Sequence, residues 1–189
     1  MDKKKLLLSL MLLIFSIFIF NTKYDISILE VIEETRTDAL NSFFKTFTHF
    51  GSYRFLIPFS VLIFFFFKDK LPLSLGILLA SIFNTIIKYI VSRPRPNLAP
   101  LVKYTSFSYP SGHTMVNAVF AYFLYRYLFK ADKRAIIPLI LYSLLMAYSR
   151  LYLGVHYPSD IIGGYSAALL FIAFFDYVYS KNTKTKKSF

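Results

Sequence analysis

Six apolar segments divide this chain: Leu6–Phe20, Arg54–Phe67, Leu71–Val91, Thr114–Phe129, Ala135–Ser149 and Ile161–Tyr179. A bilayer core of about 30 Å is crossed by about 17 to 25 helical residues, so each segment is near the length of a span. The shorter ones are expected to continue into flanking polar residues such as Asn21, Thr22 and Ser52. Composition makes the same demand, because 56% of residues are apolar, 20% aromatic and only 17% charged, which leaves more apolar surface than a soluble domain of this size can bury. The expected fold is all-α: a polytopic membrane helix bundle with six transmembrane helices, forming a single domain over residues 1–189. Lys3, Lys4 and Lys5 before an apolar run have the form of a secretory leader. The following Asn21-Thr22-Lys23-Tyr24 lacks the small residues of a cleavage site, so the segment is read as a retained anchor. With no cysteine in the sequence, disulfides, thiolate zinc sites and cysteine nucleophiles are excluded.

Alternating topology with the N-terminus inside places thirteen basic residues against four acidic ones on the cytoplasmic side, and nine against six outside. Lys68, Lys70, Arg126, Lys130, Lys133, Arg134, Lys181, Lys184, Lys186 and Lys187 join the N-terminal lysines in the inner set. The bias satisfies the positive-inside rule and sets both termini in the cytoplasm. It also accounts for the net charge of +12 without nucleic acid, which would need a soluble basic surface. Between the first two spans, Ile28, Val31, Ile32, Leu40, Phe43, Phe44 and Phe47 recur at helical spacing among acids. That pattern predicts an amphipathic helix, lying along the outer interface or packed on the bundle.

Charged and imidazole groups close to membrane segments are costly, and three clusters carry them. Lys88 precedes Arg95-Pro96 by six intervening residues at the end of the third segment, where Pro94 and Pro96 stop the helix and let both cations turn to one external point. In isolation this also fits a snorkelling lysine with topogenic arginines. Pro110-Ser111-Gly112-His113 stands directly before an apolar run. A helix N-terminus offers free amides and positive partial charge to a phosphate, with Ser111 adding a hydroxyl and Gly112 permitting close approach. A plain N-cap beside an interfacial histidine is the alternative. Ser149-Arg150 is followed by His156 and, four residues on, Asp160. That spacing lets the carboxylate accept from Nδ1 and leave Nε2 free to attack, or makes a structural His–Asp pair. Under the alternating topology all three clusters fall on the outer side.

Together, Lys88–Pro96, Pro110–His113 and Ser149–Asp160 resemble the three signature motifs of the type 2 phosphatidic acid phosphatase family, complete and in order, with a motif core over 88–160. The resemblance implies a metal-independent membrane lipid phosphatase working through a phosphohistidine. His156 would be the nucleophile, Asp160 its orienting partner and His113 the general acid. Lys88, Arg95, Arg150, Ser111 and the Gly112 amide would form the phosphate clamp. No metal or other cofactor is expected: His49 is remote, and two histidines with one placed carboxylate do not make a two-metal cluster. The implied partner is a membrane lipid phosphate at the extracytoplasmic face, a glycerophospholipid monoester such as phosphatidylglycerophosphate or phosphatidate, or alternatively undecaprenyl pyrophosphate.

Two other classes share parts of the pattern. Vanadium haloperoxidases have a similar anion pocket but are large soluble chains. A phosphate-lipid binder or transporter would show discontinuous spans with charge at the midplane, and Lys88 near a helix end is not that. Arg93 is read as recruiting anionic substrate or as an interfacial charge, His49 as structural, Tyr104, Tyr109, Tyr152 and Tyr157 as interface aromatics, and Gly163-Gly164 as a close helix contact.

Overall fold

A computed structural model describes residues 2–67 and 71–185, and side chains as far as Lys181. Lys68, Asp69, Lys70, Lys186 and Lys187, and the side chain of Lys184, all counted above for orientation, lie outside the described residues. Those described contain no strand. Eight α-helices run in order: α1 (Lys3–Ile19), α2 (Lys23–Glu34), α3 (Asp38–Phe47), α4 (Tyr53–Phe66), α5 (Leu71–Val91), α6 (Gly112–Phe123), α7 (Ile136–Tyr152) and α8 (Pro158–Thr185). A 3₁₀ turn at Thr48–Gly51 leads into α4, and a π-turn at Leu124–Leu128 extends α6.

All six apolar segments are helical, but on length and apolarity alone three regions qualify as spans: Leu71–Val91, Lys133–Tyr152 and Pro158–Lys181. Counting α1 with α2, bent by 86°, and α3 with α4, bent by 49°, as broken spans raises the number to five. The expected sixth, α6, falls short because its twelve residues rise about 18 Å. Eight of the twelve are buried and none is exposed, between α5, α7 and α8. A helix walled in by other helices meets little lipid, so it tolerates Thr114 and Asn117 in its middle.

The flanking residues behave differently from expectation. Helix α1 stops at Ile19, and Asn21 takes a left-handed φ of +58°. Thr22 does not prolong α1 but stands at the N-cap of α2, and Ser52, flanking the second segment, is the N-cap of α4, which starts at Tyr53. The single amphipathic helix expected over residues 24–50 is broken in two. Arg36 reaches across to the carbonyls of Tyr152 and Ala99, the Thr37 amide donates to the Tyr152 hydroxyl, and the Thr37 side chain then caps α3. Tertiary contacts outbid helix continuation there.

The main core lies where α4, α5, α6 and α8 meet, around Leu56, Leu73, Ile77, Met115, Val119, Phe123 and Phe171. A smaller one joins Phe44 of α3 to Tyr152, Leu153 and Val155 at the end of α7. Outward rows such as Leu7, Met11, Ile14 and Phe18 on α1 and Ile82, Ile86 and Ile90 on α5 remain exposed, as lipid-facing surfaces do. Helix α5 reaches α6 through Gly76, where an added Cβ would stand 1.9 Å from Phe123 Cε2. The Phe123 ring is fully buried, so it has no free space to enter. Gly76→Ala is therefore expected to destabilise the detergent-solubilised protein by about 1–3 kcal/mol, read as a lowered thermal midpoint. Adding Phe123→Leu should recover part of the loss, and an unchanged midpoint for Gly76→Ala would refute this packing.

Candidate active site

Four helix ends meet at one end of the bundle: the last turn of α5, the start of α6, the end of α7 and the start of α8. Ser111 caps α6, its hydroxyl accepting from the Thr114 amide at 3.4 Å and the Thr114 hydroxyl at 3.0 Å. The Ser111 amide donates to the Asp160 carbonyl at 3.0 Å, which ties α6 to α8. That approach is possible because α8 presents Gly163 and Gly164. A Cβ at Gly163 would fall 2.4 Å from the Tyr109 hydroxyl, and one at Gly164 3.0 Å from the Ser111 carbonyl. The glycine pair is a close helix contact, as its position within a span suggested.

These ends surround a cavity of about 510 Å³. Lys88, Arg95, Gly112, His113 and His156 line it, with Tyr104, Ser106 and Asn84 beside them; Ile57, Leu78, Ile82, Ile86 and Val116 of α4, α5 and α6 form an apolar flank. Five of the eight residues singled out in the sequence thus share one wall. The other three stand behind it. Asp160 backs His156, Ser111 is spent on its cap, and Arg150 is fully buried, with Nη1 donating to Thr48 Oγ1. Arg150 Nε and Nη2 have no protein partner.

Lys88 donates to the carbonyls of Phe107 (2.6 Å) and Ser108 (3.0 Å), which leaves one of its three N–H groups uncommitted. Arg95 donates to the carbonyls of Ser106 (2.7 Å), Val155 (2.7 Å) and Phe107 (3.3 Å) and to the Ser106 hydroxyl. His156 Nδ1 lies 3.2 Å from Asp160 Oδ2, and its Nε2 lies 3.2 Å from Arg95 Nη1. Asp160 accepts and Arg95 only donates, so this network assigns the proton to Nδ1 and the lone pair to Nε2. The Asp160 carboxylate also accepts from the Tyr157 amide at 2.9 Å. His113 gives one ring nitrogen to the Thr48 carbonyl, and its Nε2 has no protein partner.

Sequence reasoning missed two residues here. Tyr104, read as an interface aromatic, stands between Arg95 and Arg150, each guanidinium 4.8 Å from its ring centroid, and edge-on to His113 at 6.1 Å. Nothing in its sequence surroundings marks it. Arg93 is neither an interfacial charge nor available to substrate: it is buried and ion-paired with Asp25 and Asp160, both at 2.7 Å. Its carboxylate partners lie 67 and 68 residues away in the sequence, so no local signal marks it. Among the described residues no three His, Asp or Glu side chains converge to hold a metal.

Burial, and then the charges of Arg95, Lys88, Arg150 and His113, hold the His156 imidazole well below the ordinary histidine value. Burial first, then Arg150, lowers Arg95 to about 10, still cationic at neutral pH. The pocket can hold a tetrahedral oxyanion between fixed cations and a helix N-terminus, with a neutral imidazole aimed at it and an apolar slot alongside. Fold and site together define a membrane-embedded hydrolase of phosphoric esters.

Comparison with known proteins agrees. Residues 69–184, which include all of α5 to α7 and nearly all of α8, match the PAP2 superfamily. Phosphatidylglycerophosphatase B of Bacillus subtilis is 38% identical over 71% of this chain and 73% of its own length. Undecaprenyl-diphosphatase of Sulfolobus acidocaldarius is 29% identical over 84% and 83%. The crystal structure of a transmembrane PAP2-type phosphatidylglycerolphosphate phosphatase from Bacillus subtilis superposes with a TM-score of 0.83 at 34% identity, covering 95% of this chain and 98% of that one. The chain belongs to the PAP2 superfamily, the family its three motifs resemble, and is a membrane lipid phosphatase.

In the substrate-free protein His156 is expected to stay neutral at pH 6.5 and above, because its pKa is displaced downward. The ¹⁵N shifts of labelled histidine in nanodiscs, assigned with His156→Gln, report this directly. A protonation midpoint at or above 6.5 would contradict the electrostatics described.

Proposed function

We propose that the protein removes the terminal phosphate of a glycerophospholipid monoester, phosphatidylglycerophosphate or phosphatidate, at the extracytoplasmic face of a bacterial inner membrane, without a metal. The observation that carries this reading is His156 at the wall of the cation-lined cavity, with Arg95 on its Nε2 and Asp160 on its Nδ1. All 189 residues act as one unit with the chemistry in 88–160. Its six crossings are α1, α4, α5, α6 with its π-turn, α7 and α8, while α2 and α3 lie along the outer interface and both termini are cytoplasmic. The charge asymmetry of the sequence supports this orientation.

The lipid phosphate enters with its oxygens on Lys88, Arg95 and Arg150 and on the first amides of α6, Gly112 among them, which Ser111 holds in place by capping. The tail rests along Ile57, Ile82 and Ile86. His156 Nε2 forms a bond to phosphorus as the P–O bond to the lipid alcohol breaks, and His113, which takes a second proton on Nε2 when the phosphate dianion offsets the cations around it, gives that proton to the departing oxygen. The phosphorylated ring keeps its Nδ1 proton, and its positive charge is balanced by Asp160. Water, giving a proton to His113, then attacks phosphorus as the P–Nε2 bond breaks, which returns the lone pair to Nε2 and releases inorganic phosphate.

The 38% identity to an enzyme named for phosphatidylglycerophosphate favours the monoester class. Undecaprenyl pyrophosphate is the second reading, favoured by the likeness to an undecaprenyl-diphosphatase over most of both chains. A panel of the three lipids given to purified protein ranks them by kcat/KM.

Phosphate release in detergent with EDTA present is expected, and His156→Ala should lower kcat by a factor of about 10³ or more. Asp160→Asn should cost about 10² to 10⁴ through loss of the correct tautomer. Full turnover by His156→Ala, or dependence on added Mg²⁺, would overturn the mechanism. For orientation, a cysteine placed at Asn97 should react with an impermeant thiol reagent in intact cells while one at Asp132 should not; the reverse pattern would invert the topology.

A further inference from the structure

Arg93 is the one charged residue of the Lys88–Pro96 stretch that the proposed chemistry leaves unused. It is 3% exposed, with its guanidinium between the rings of Phe20 and Tyr157 at 4.0 and 3.9 Å from their centroids. Nη1 donates to Asp160 Oδ1 and to the Ser159 hydroxyl, both at 2.7 Å. Nη2 donates to Asp25 Oδ2 at 2.7 Å and to Asn21 Oδ1 at 2.9 Å. Asp25, fully buried on α2, also accepts from the amide of Ser159 at 2.8 Å and from its hydroxyl. We infer that Arg93 and Asp25 are positioning residues for the reaction: Arg93 fixes the rotation of the Asp160 carboxylate, and Asp25 cancels the charge that Arg93 brings to it. The inference rests on the proposed reading of His156 as nucleophile.

Two features of the geometry argue for this beyond mere anchoring. First, the two oxygens of Asp160 have separate partners. Oδ2 takes His156 Nδ1 and the Tyr157 amide, and Oδ1 takes Arg93. A carboxylate held at both ends cannot swing, so the imidazole keeps its tautomer and its aim. Second, the charges must balance. Facing His156 are Lys88 of α5, Arg95 of the following loop, His113 of α6 and Arg150 of α7, with Asp160 of α8 the opposing carboxylate. A guanidinium placed directly on Asp160 would cancel the charge that must stabilise a phosphorylated, positive ring. Asp25 restores it, since Asp25, Arg93 and Asp160 together carry one net negative charge. The brace arrives from α2, outside the stretch that matches the superfamily.

Full-length wild type, Asp25→Asn, Arg93→Gln and Arg93→Lys are compared in detergent on phosphatidate with EDTA, each rate divided by the active-site concentration from a burst titration. Asp25→Asn and Arg93→Gln should lower kcat about 10- to 100-fold, the range for groups that orient an active imidazole through its partner, with KM within about twofold. Arg93→Lys should recover part of the loss. The acid limb of kcat/KM should move in opposite directions. Removing the negative charge of Asp25 makes His156 harder to protonate, so the limb falls to lower pH; removing the positive charge of Arg93 makes it easier, so the limb rises. Unchanged turnover per active site, or limbs that move together or not at all, would overturn the inference. If Arg93→Gln gives no folded protein, Asp25→Asn and Arg93→Lys decide it, the first by its shifted limb and the second by a lowered kcat at an unmoved limb. Wild type that releases no phosphate would instead refute the underlying function.

Discussion

Three cations, Lys88, Arg95 and Arg150, are held close to one cavity at the end of an apolar bundle, and how they are kept there governs the rest. Like charges removed from water repel, and each must recover its lost hydration. The protein supplies that mainly with neutral dipoles. The carbonyls of Phe107 and Ser108 take Lys88; those of Ser106, Phe107 and Val155 take Arg95; the Thr48 hydroxyl takes Arg150. Carbonyls satisfy N–H donors without cancelling charge, so the positive field survives for an anion. Arg93 shows the contrast. Two residues from Arg95, it meets two carboxylates, and its charge is consumed inside the protein.

This requirement dictates the loop between α5 and α6. A helix there would spend its carbonyls on its own amides, whereas the prolines at 94, 96, 100 and 110 keep the segment irregular and its carbonyls free to face inward. The loop is anchored where it starts and ends: the Ser108 amide donates to the Arg93 carbonyl, and the Ser111 amide to that of Asp160. Helix α6 then begins directly beneath the cavity, and its brevity and polarity follow from that place. It delivers amides and His113 to the site, and Asn117 ties His113's backbone carbonyl to that of Gly51.

What the sequence made legible was whatever depends on helix ends. The spacings Lys88 to Arg95, Ser111 to His113 and Arg150 to Asp160 each lie within a turn or two of a terminus, so the direction of their side chains is constrained by the chain itself. Tyr104 and Arg93 were not legible in this way. Tyr104 hangs from a loop whose path is set by the cations it shields, and Arg93 turns inward to carboxylates of α2 and α8 that are remote in sequence. The α2–α3 break was hidden for the same reason: apolar periodicity runs straight through it, and the contacts that interrupt it come from Tyr152, more than a hundred residues away. Span number was not legible from apolar run length, because α6, enclosed by α5, α7 and α8, is short and carries Thr114 and Asn117.

The position of the cavity also reconciles two conflicting demands of the chemistry. A lipid tail needs an apolar surface continuous with the bilayer, and Ile57 of α4 and Ile82 and Ile86 of α5 provide one. The reacting phosphate needs low dielectric for its attack and then water for its release. A pocket at the bundle's midplane would satisfy the first and starve the second; one in open solvent would screen the cations and leave the tail exposed. At the helix ends, the imidazole has Asp160 behind it on Nδ1 and Arg95 on Nε2 at the cavity wall, so one nitrogen meets a carboxylate and the other a cation. That asymmetry across a single five-membered ring keeps the proton on Nδ1 and leaves the Nε2 lone pair on a donor that an incoming anion can also claim.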